Sequence, residues 1–344
     1  MYMQKKITMD CSKIQNDKIE YCYVDYFKLI FAIIIILHHT VQRYESSSVI
    51  VDIINLATQI AVPYYFVASA FFLFKDKLSK QRISRYIKRI LGLYFFWTTT
   101  LLPFRIPDII NSGLDLKTNM IYFLKYVRII IFIGEYQLWY LIGTIWALSM
   151  ILILGKIQCG KKIMITITAA MFILMQLINL KLLPDNILIN GLLKIYWIIS
   201  GTTRNGIFVG FIYMSIGMYI GKFKKLQKLD SNILNLMMVG VIVLEIMVYN
   251  FCVDIQSWFI PVIVIVLFLF SINIKTNKVD GLEKIARSYS TLLYVSHMTI
   301  LNTTLIICKF DVISECIIVL VATFVFSWII FMLSKKIKWL KMVY

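Results

Sequence analysis

The sequence predicts an all-α polytopic membrane protein with about ten transmembrane helices and both termini in the cytoplasm. Of the 344 residues, 60% are hydrophobic and only 16% are charged, whereas a soluble domain is about half apolar and a quarter charged. Apolar runs of spanning length recur along the whole chain. The predicted inner segments hold 26 Lys and Arg residues and the outer segments nine, as the positive-inside rule requires.

The net charge of +18 would suggest a nucleic-acid partner in a soluble protein. Here the asymmetry of the charge explains the excess, because basic inner loops are attracted to the anionic inner leaflet. We therefore expect membrane lipids as partners, no nucleic acid, and a location in the cell (plasma) membrane.

A polar cytoplasmic tail is predicted at 1–23 and a basic cytoplasmic tail at 334–344. The chain between them, 24–333, is predicted to form one membrane domain, because no piece outside the spans is long enough to bury a core of its own. An aromatic, weakly basic stretch at 119–133 is predicted to be an interfacial or re-entrant outer helix. The ten predicted spans are 24–42, 53–74, 90–104, 137–155, 162–181, 205–221, 232–252, 257–274, 289–308 and 313–333.

The first span carries its polar residues on one face. At about 100° per residue, His39 lies about 20° round the helix from Lys28 and roughly 16 Å along its axis. Asp25, Ala32 and Ile35 complete this stripe. Ionisable side chains inside a membrane usually face a protein interior or a watery cavity and mark function. Alternatively, Lys28 snorkels to the headgroups and His39 lies at the far interface.

The basic segment 75–89 has seven cations against one acid. Its basic charge is explained if the segment serves only to set the membrane topology. It is also suited to bind phosphates at the cytoplasmic mouth, since Arg and Lys both pair with phosphate oxygens. Four of its side chains are predicted to share one helix face: Arg82, Arg85, Lys88 and Arg89.

An acidic residue and an aromatic residue lie at the outer end of the fourth predicted span. Glu135 precedes Trp139 there, as an interfacial carboxylate beside an aromatic belt would. Alternatively, Glu135 orients an imidazole or binds an acceptor sugar.

Arg204 and Asn205 begin the sixth predicted span. In one interpretation, Thr202 or Thr203 caps the N-terminus of this span. In the other, Arg204 directs its cation into a cavity. His297 lies midway along the ninth predicted span, where a helix-packing hydrogen bond is the commoner role.

Soluble catalytic signatures are missing from the sequence: it has no Walker-type G-x-x-x-x-G-K, no G-x-S-x-G and no H-E-x-x-H. With three histidines, two of them adjacent, no metal site is expected.

These residues resemble the membrane-bound acyltransferase 3 family. The family begins its first span with an acid, an Arg three residues later and a His eleven residues after that; this chain has Asp25, Lys28 and His39, with Lys in place of Arg. A Ser-Ala-Phe-Phe segment (69–72), the Arg82-x-x-Arg85 pair, a Leu-Trp-Tyr-Leu motif (138–141) and a late histidine also resemble the family. By position, Arg89 would instead be the first Arg of the pair, and Gly92 stands at the second.

One branch of the family is the most similar. The Asp-Tyr-Phe-Lys-Leu-Ile opening and the Thr-Thr-Arg-Asn-Gly segment (202–206) resemble the membrane half of vancomycin-resistance serine racemases. No racemase domain is found in the chain.

The resemblance implies transfer of an acyl group, expected to be acetyl, from cytoplasmic acyl-CoA to a hydroxyl of an extracytoplasmic saccharide or glycolipid. His39 would act as general base, with Glu135 as a second catalytic residue. Lys28 and the four basic residues of 75–89 would hold the CoA phosphates. The acceptor-binding residues would be Trp139, Arg204, Asn205 and His297. No permanently bound cofactor is expected.

Two other classes of function stay open. Polar residues on the inner walls of spans also suit a transporter of a serine-like amino acid or an envelope precursor, without covalent chemistry. The other class is an inactive interaction module that recruits an envelope enzyme.

Overall fold

The computed structural model describes residues 21–44, 49–110, 115–157, 160–251, 256–274, 281–307 and 311–344. The predicted tail 1–23 therefore lies almost entirely outside the described residues. Within the described ranges the chain is helical and has no β-strand. The twelve α-helices described there are α1 (Cys22–Val41), α2 (Val49–Phe74), α3 (Lys80–Ile110), α4 (Leu116–Arg128), α5 (Trp139–Lys156), α6 (Lys161–Asn179), α7 (Ile187–Ser200), α8 (Phe211–Lys222), α9 (Ser231–Phe251), α10 (Gln256–Asn273), α11 (Leu282–Ile307) and α12 (Val312–Lys336).

Six helical segments in the described chain are long and apolar enough to cross a membrane: Cys22–Val41, Val49–Phe74, Tyr136–Lys156, Lys161–Asn179, Leu282–Ile307 and Val312–Lys336. The remaining predicted spans coincide with α3, α8, α9 and α10, of which three are shorter apolar segments. The all-helical membrane class is thus confirmed, whereas the total of ten spans and the cytoplasmic termini stay predictions.

Two helical stretches lie outside the predicted spans and the predicted outer helix. The basic segment 75–89 is helical from Lys80, because α3 continues without a break into the predicted third span. The other stretch is α7, which the sequence analysis does not predict. The amide oxygen of Asn186 caps its N-terminus, and Gly201 ends it in the left-handed region at φ +64°, which costs glycine little.

The core of the bundle is built around α1 and α2. α1 packs against α2, α11 and α12, and α2 packs against α8. The α2–α8 contact depends on Gly217, because a Cβ there would lie 2.8 Å from the carbonyl carbon of Val67. Tyr64, Phe66 and Phe71 of α2 are fully buried in this core.

The peripheral helices expose apolar side chains. α6 exposes Ile165 and Ile173, and α12 exposes Val321, Val325 and Trp328. Helices that are apolar on their outward face are typical of contact with lipid. The polar functional residues are therefore to be sought on the inward faces of α1, α2, α3, α5 and α11.

Candidate active site

The polar stripe of α1 faces the inside of the bundle. Asp25, Ala32 and Ile35 are buried, and Lys28 and His39 are partly buried. α1 is an uninterrupted helix, so Lys28 and His39 lie roughly 16 Å apart along its axis. The stripe connects two polar regions, one at the end where α1 begins and one at the end where it finishes.

At the end where α1 begins, a cavity of about 600 Å³ opens between α1, α2, α3, α5 and α11. We call it the basic cavity. Six cationic side chains line it: Lys28, Lys75, Arg82, Arg89, Lys284 and Arg287. Its acidic lining residues are Asp25 and Glu283. This excess of positive charge in one cavity suits an anionic ligand with several phosphates.

Several of these cations are held in place by other residues. Arg287 donates to the buried carboxylate of Asp25 at 2.6 Å. Arg82 pairs with Asp76 at 3.2 Å and donates to the Phe72 carbonyl at 2.5 Å. These contacts fix the guanidinium groups at the wall of the cavity before any ligand binds.

Two lysines lie against aromatic rings at the mouth. The Nζ of Lys75 lies 4.5 Å from the ring centroid of Tyr21, and the Nζ of Lys28 lies 5.4 Å from that of Phe72. Burial lowers the pKa of Lys75, because desolvation disfavours the charged ammonium. A bound phosphate would offset this cost.

The structure separates the four basic residues of α3 that the sequence places on one face. Arg82 and Arg89 line the basic cavity, since seven residues bring a helix back to within about 20°. Lys88 lies on a shallow outer surface beside Lys80, and Arg85 is exposed, with its Nε 3.4 Å from the Gln81 carbonyl. The prediction of one shared face is therefore wrong for Arg85 and Lys88.

The sequence analysis does not single out Lys75, Lys284 or Arg287. All three belong to segments whose basic residues the positive-inside rule already explains. The only signal for Arg287 is its chain position shortly before His297, and that position does not reveal its contact with Asp25.

Three tyrosines close the inner end of the basic cavity. The ring centroids of Tyr65, Tyr140 and Tyr294 are 5.4 to 5.8 Å apart in all three pairs. We call them the tyrosine layer. Tyr65 donates to the Lys28 carbonyl at 2.6 Å, and Tyr294 donates to the Gln137 carbonyl. The layer is thus tied to α1 and to the turn before α5.

The three histidines meet where α1 finishes. The His39 ring lies 5.3 Å from the ring of His38 and stacks on that of His297 at the same centroid distance. His38 Nδ1 is 3.0 Å from the amide oxygen of Asn55. Neither His39 nor His297 lines the basic cavity, but Tyr294 of the tyrosine layer does, and its ring centroid lies 6.2 Å from that of His297.

His297 is fully buried on α11. Its Nδ1 is 3.1 Å from the Leu293 carbonyl, and a carbonyl can only accept, so Nδ1 carries the proton of the neutral ring. The other nitrogen, Nε2, is buried without a hydrogen-bond partner. An unpaired buried acceptor of this kind suits a ligand hydroxyl.

Arg204 and Trp139 lie at the same end of the bundle. The guanidinium carbon of Arg204 is 5.1 Å from the Trp139 ring centroid, and Arg204 is within electrostatic range of His38 and His39. The structure thus brings two of the predicted acceptor-binding residues toward the histidine cluster.

Both the amide oxygen and the amide nitrogen of Asn205 make hydrogen bonds within the chain. Its amide oxygen accepts from the backbone N–H groups of Ile207 and Phe208, and its amide nitrogen donates to Tyr196 and Thr202. The capping residue is therefore Asn205 and not Thr202 or Thr203. A substrate contact of Asn205 stays a prediction and would have to displace one of these bonds.

Glu135 is buried, and its Oε1 accepts from Arg105 Nε at 2.6 Å. The guanidinium of Arg105 in turn lies 4.4 Å from the Tyr136 ring centroid. The described contacts of Glu135 include no imidazole, and its Oε2 has no hydrogen-bond partner. A catalytic role for Glu135 stays a prediction.

Comparison with known proteins gives one match. Neither a curated protein nor a solved structure is significantly similar to the chain. A family model described as an acyltransferase domain matches residues 22–332, which include α1 with its stripe, the basic cavity and the histidine cluster. The similarity to the serine racemase branch stays a prediction. On this match, the chain belongs to the acyltransferase 3 family.

Proposed function

We propose that this protein transfers an acyl group, expected to be acetyl, from cytoplasmic acyl-CoA to a hydroxyl of an extracytoplasmic envelope saccharide or glycolipid. One observation carries the proposal. The α1 stripe connects a cavity lined by six cations to a cluster of three histidines. An enzyme that takes its donor from one side of a membrane and its acceptor from the other needs this separation.

The basic cavity suits the donor. The phosphates of CoA would pair with the guanidinium and ammonium groups of its wall, since charge-assisted hydrogen bonds to phosphate are strong. Lys28, Arg82 and Arg89 are the members of this set that the sequence predicts. The bias of Lys and Arg toward this end of the bundle supports a cytoplasmic location for the cavity.

The histidine cluster suits the acceptor. His39 would accept the proton of the attacking hydroxyl, because an imidazole titrates near the working pH. His297 Nε2, which has no hydrogen-bond partner, would hold the same hydroxyl or a neighbouring one. Arg204 over Trp139 offers a cation and an apolar face beside them.

The acyl group must pass the tyrosine layer. Acyl-CoA would bind with its nucleotide at the mouth and its pantetheine arm directed inward along the stripe. Because Tyr65, Tyr140 and Tyr294 line the cavity and His39 does not, we expect these rings to shift before the thioester reaches His39. Their hydroxyl contacts to the backbone define the closed arrangement.

The proposal is tested with sealed inverted vesicles that contain the native protein or His39→Ala, with acetyl-labelled acetyl-CoA added outside. Label in lumenal saccharide with the native protein alone would support a transmembrane acyltransferase that depends on His39. Equal labelling with both proteins would show that the transfer does not require His39. Vesicles that exchange labelled serine without transferring acetyl would favour the transporter.

A further inference from the structure

Glu283 is a buried carboxylate that the proposed mechanism does not use. It lies in the first turn of α11, its exposed fraction is 2%, and it lines the basic cavity. Neither of its carboxylate oxygens has a hydrogen-bond partner. Asp25, the other acid of the cavity, is paired with Arg287, so among the acids described there only Glu283 lacks a hydrogen-bond partner.

An uncompensated buried carboxylate is costly unless something supplies hydrogen bonds to it. Glu283 lies at the positive end of the α11 dipole, but this position leaves both oxygens without donors. The position of the side chain at the cavity wall means that a bound ligand can supply those donors.

The chemistry of Glu283 indicates which part of the ligand it contacts. An ionised carboxylate only accepts hydrogen bonds, and it repels phosphate, for which the six cations provide the binding groups. The matching group is therefore uncharged and carries N–H or O–H donors. An exocyclic purine amine is such a group, because each of its N–H groups can donate to a carboxylate oxygen.

The position of Glu283 agrees with this. Glu283 begins α11, and Tyr294 of the tyrosine layer lies three turns further along the same helix. Glu283 is thus at the mouth of the cavity, where the nucleotide would lie, and not at the closed end, where the pantetheine arm would lie.

We propose that Glu283 is a specificity residue of the donor site and accepts hydrogen bonds from the adenine amino group of the CoA nucleotide. This rests on the proposed function for the identity of the ligand. It adds to that function a means of distinguishing adenine from a base that has no exocyclic amine.

The test measures binding, so that it does not depend on transfer. Detergent-solubilised native protein and Glu283→Leu are titrated with the adenosine bisphosphate portion of CoA and with the same compound carrying unsubstituted purine, in which a hydrogen replaces the amine. We expect the native protein to bind the adenine compound about tenfold or more tightly than the purine compound. Glu283→Leu should reduce this ratio to about one, because leucine cannot accept a hydrogen bond from the amine.

Ser288→Ala is the matched control, because Ser288 is on α11 but does not line the cavity; it should keep the native ratio. Glu283→Gln serves if the leucine variant fails to fold, and it should lower the ratio because a neutral amide accepts a weaker hydrogen bond than a carboxylate. Equal binding of both compounds by the native protein, or an unchanged ratio in these variants, would overturn the proposal. A native preference for adenine without any acetyl transfer would retain the role of Glu283 and reject the proposed function.

Discussion

The imidazole rings of His39 and His297 stack with their centroids 5.3 Å apart and their planes 28° apart. His39 finishes the stripe of α1, and His297 lies on α11 about one turn after Tyr294. Two helices far apart in the chain therefore place a candidate base beside an imidazole whose Nε2 has no hydrogen-bond partner. The contact defines where an acceptor hydroxyl would have to lie.

Replacement of His39 by alanine should lower kcat for acetyl transfer by about 10²–10⁴-fold, the usual contribution of a positioned general base. The yield of membrane-inserted protein should change little, because His39 is only partly buried. The measurement is single-turnover transfer from labelled acetyl-CoA in proteoliposomes.

His38→Gln is the matched control for that experiment. It removes the neighbouring imidazole but keeps a group that can hydrogen-bond to Asn55, so kcat should stay within a few-fold of the native value. If the two variants lose activity equally, the assignment of the base to His39 rather than His38 fails.

Replacement of Arg89 by alanine should raise the KM for acetyl-CoA by about tenfold or more, because a charge-assisted contact to phosphate is lost. Lys88→Ala should leave this KM unchanged, since Lys88 lies outside the basic cavity. Both variants remove one cation from the same helix, so a difference in net charge cannot explain the contrast. Steady-state kinetics with varied acetyl-CoA provide the measurement, and equal KM values for the two variants would contradict the assigned cavity.

The inward stripe of α1 could be predicted because helical periodicity is a local property. Eleven residues return a helix to nearly the same face, so Lys28 and His39 had to share one side whatever packs against them. The same arithmetic identifies Arg82 and Arg89 as a pair, and applied strictly it also excludes Lys88, which lies about 120° away from Arg82.

The partners of these residues could not be predicted, because lateral packing of helices leaves no periodic signal. Arg287 contacts Asp25 from 262 residues away, and Arg105 contacts Glu135 from a helix that contains Pro103 and Pro107. α7 was missed for a different reason: its fourteen residues are too few to cross a bilayer, and an outer loop was the simpler interpretation.

Replacement of Tyr140 by alanine should relax the preference for acetyl donors. The change removes one ring of the tyrosine layer and enlarges the inner end of the basic cavity, where one methylene can change a rate about 10-fold or more. The ratio of butyryl to acetyl transfer should therefore rise by about tenfold. Tyr140→Phe, which keeps the ring and loses the 2.6 Å hydrogen bond to Ser69, should keep the native ratio. An unchanged ratio in the alanine variant would mean that the acyl chain does not pass this layer.

Replacement of Gly217 by alanine should destabilise the bundle by about 1–3 kcal/mol, because the added methyl group meets the backbone of Val67 in the α2–α8 contact. Gly240→Ala is the control, since nothing lies within 4 Å of a Cβ there. That change should be neutral or stabilise α9 by up to about 1 kcal/mol through helix propensity. Thermal unfolding in detergent provides the comparison, and equal midpoints for the two variants would contradict the close approach of α2 and α8.

Tyr44 should make stability depend on pH above pH 10. Its hydroxyl donates to Glu315 at 2.5 Å, and this hydrogen bond, followed by desolvation and the charge of Glu315, raises the pKa of Tyr44 to about 12. A raised folded-state pKa stabilises the protonated form, so the contribution is fully present below the ordinary value of about 10 and is lost as the pH rises through about 12. The midpoint of thermal unfolding should therefore fall more steeply between pH 10 and 12 for the native protein than for Tyr44→Phe. The difference should be small, because Tyr44 is partly exposed. Parallel curves for the two proteins would show that the contact between the end of α1 and α12 is not formed in detergent.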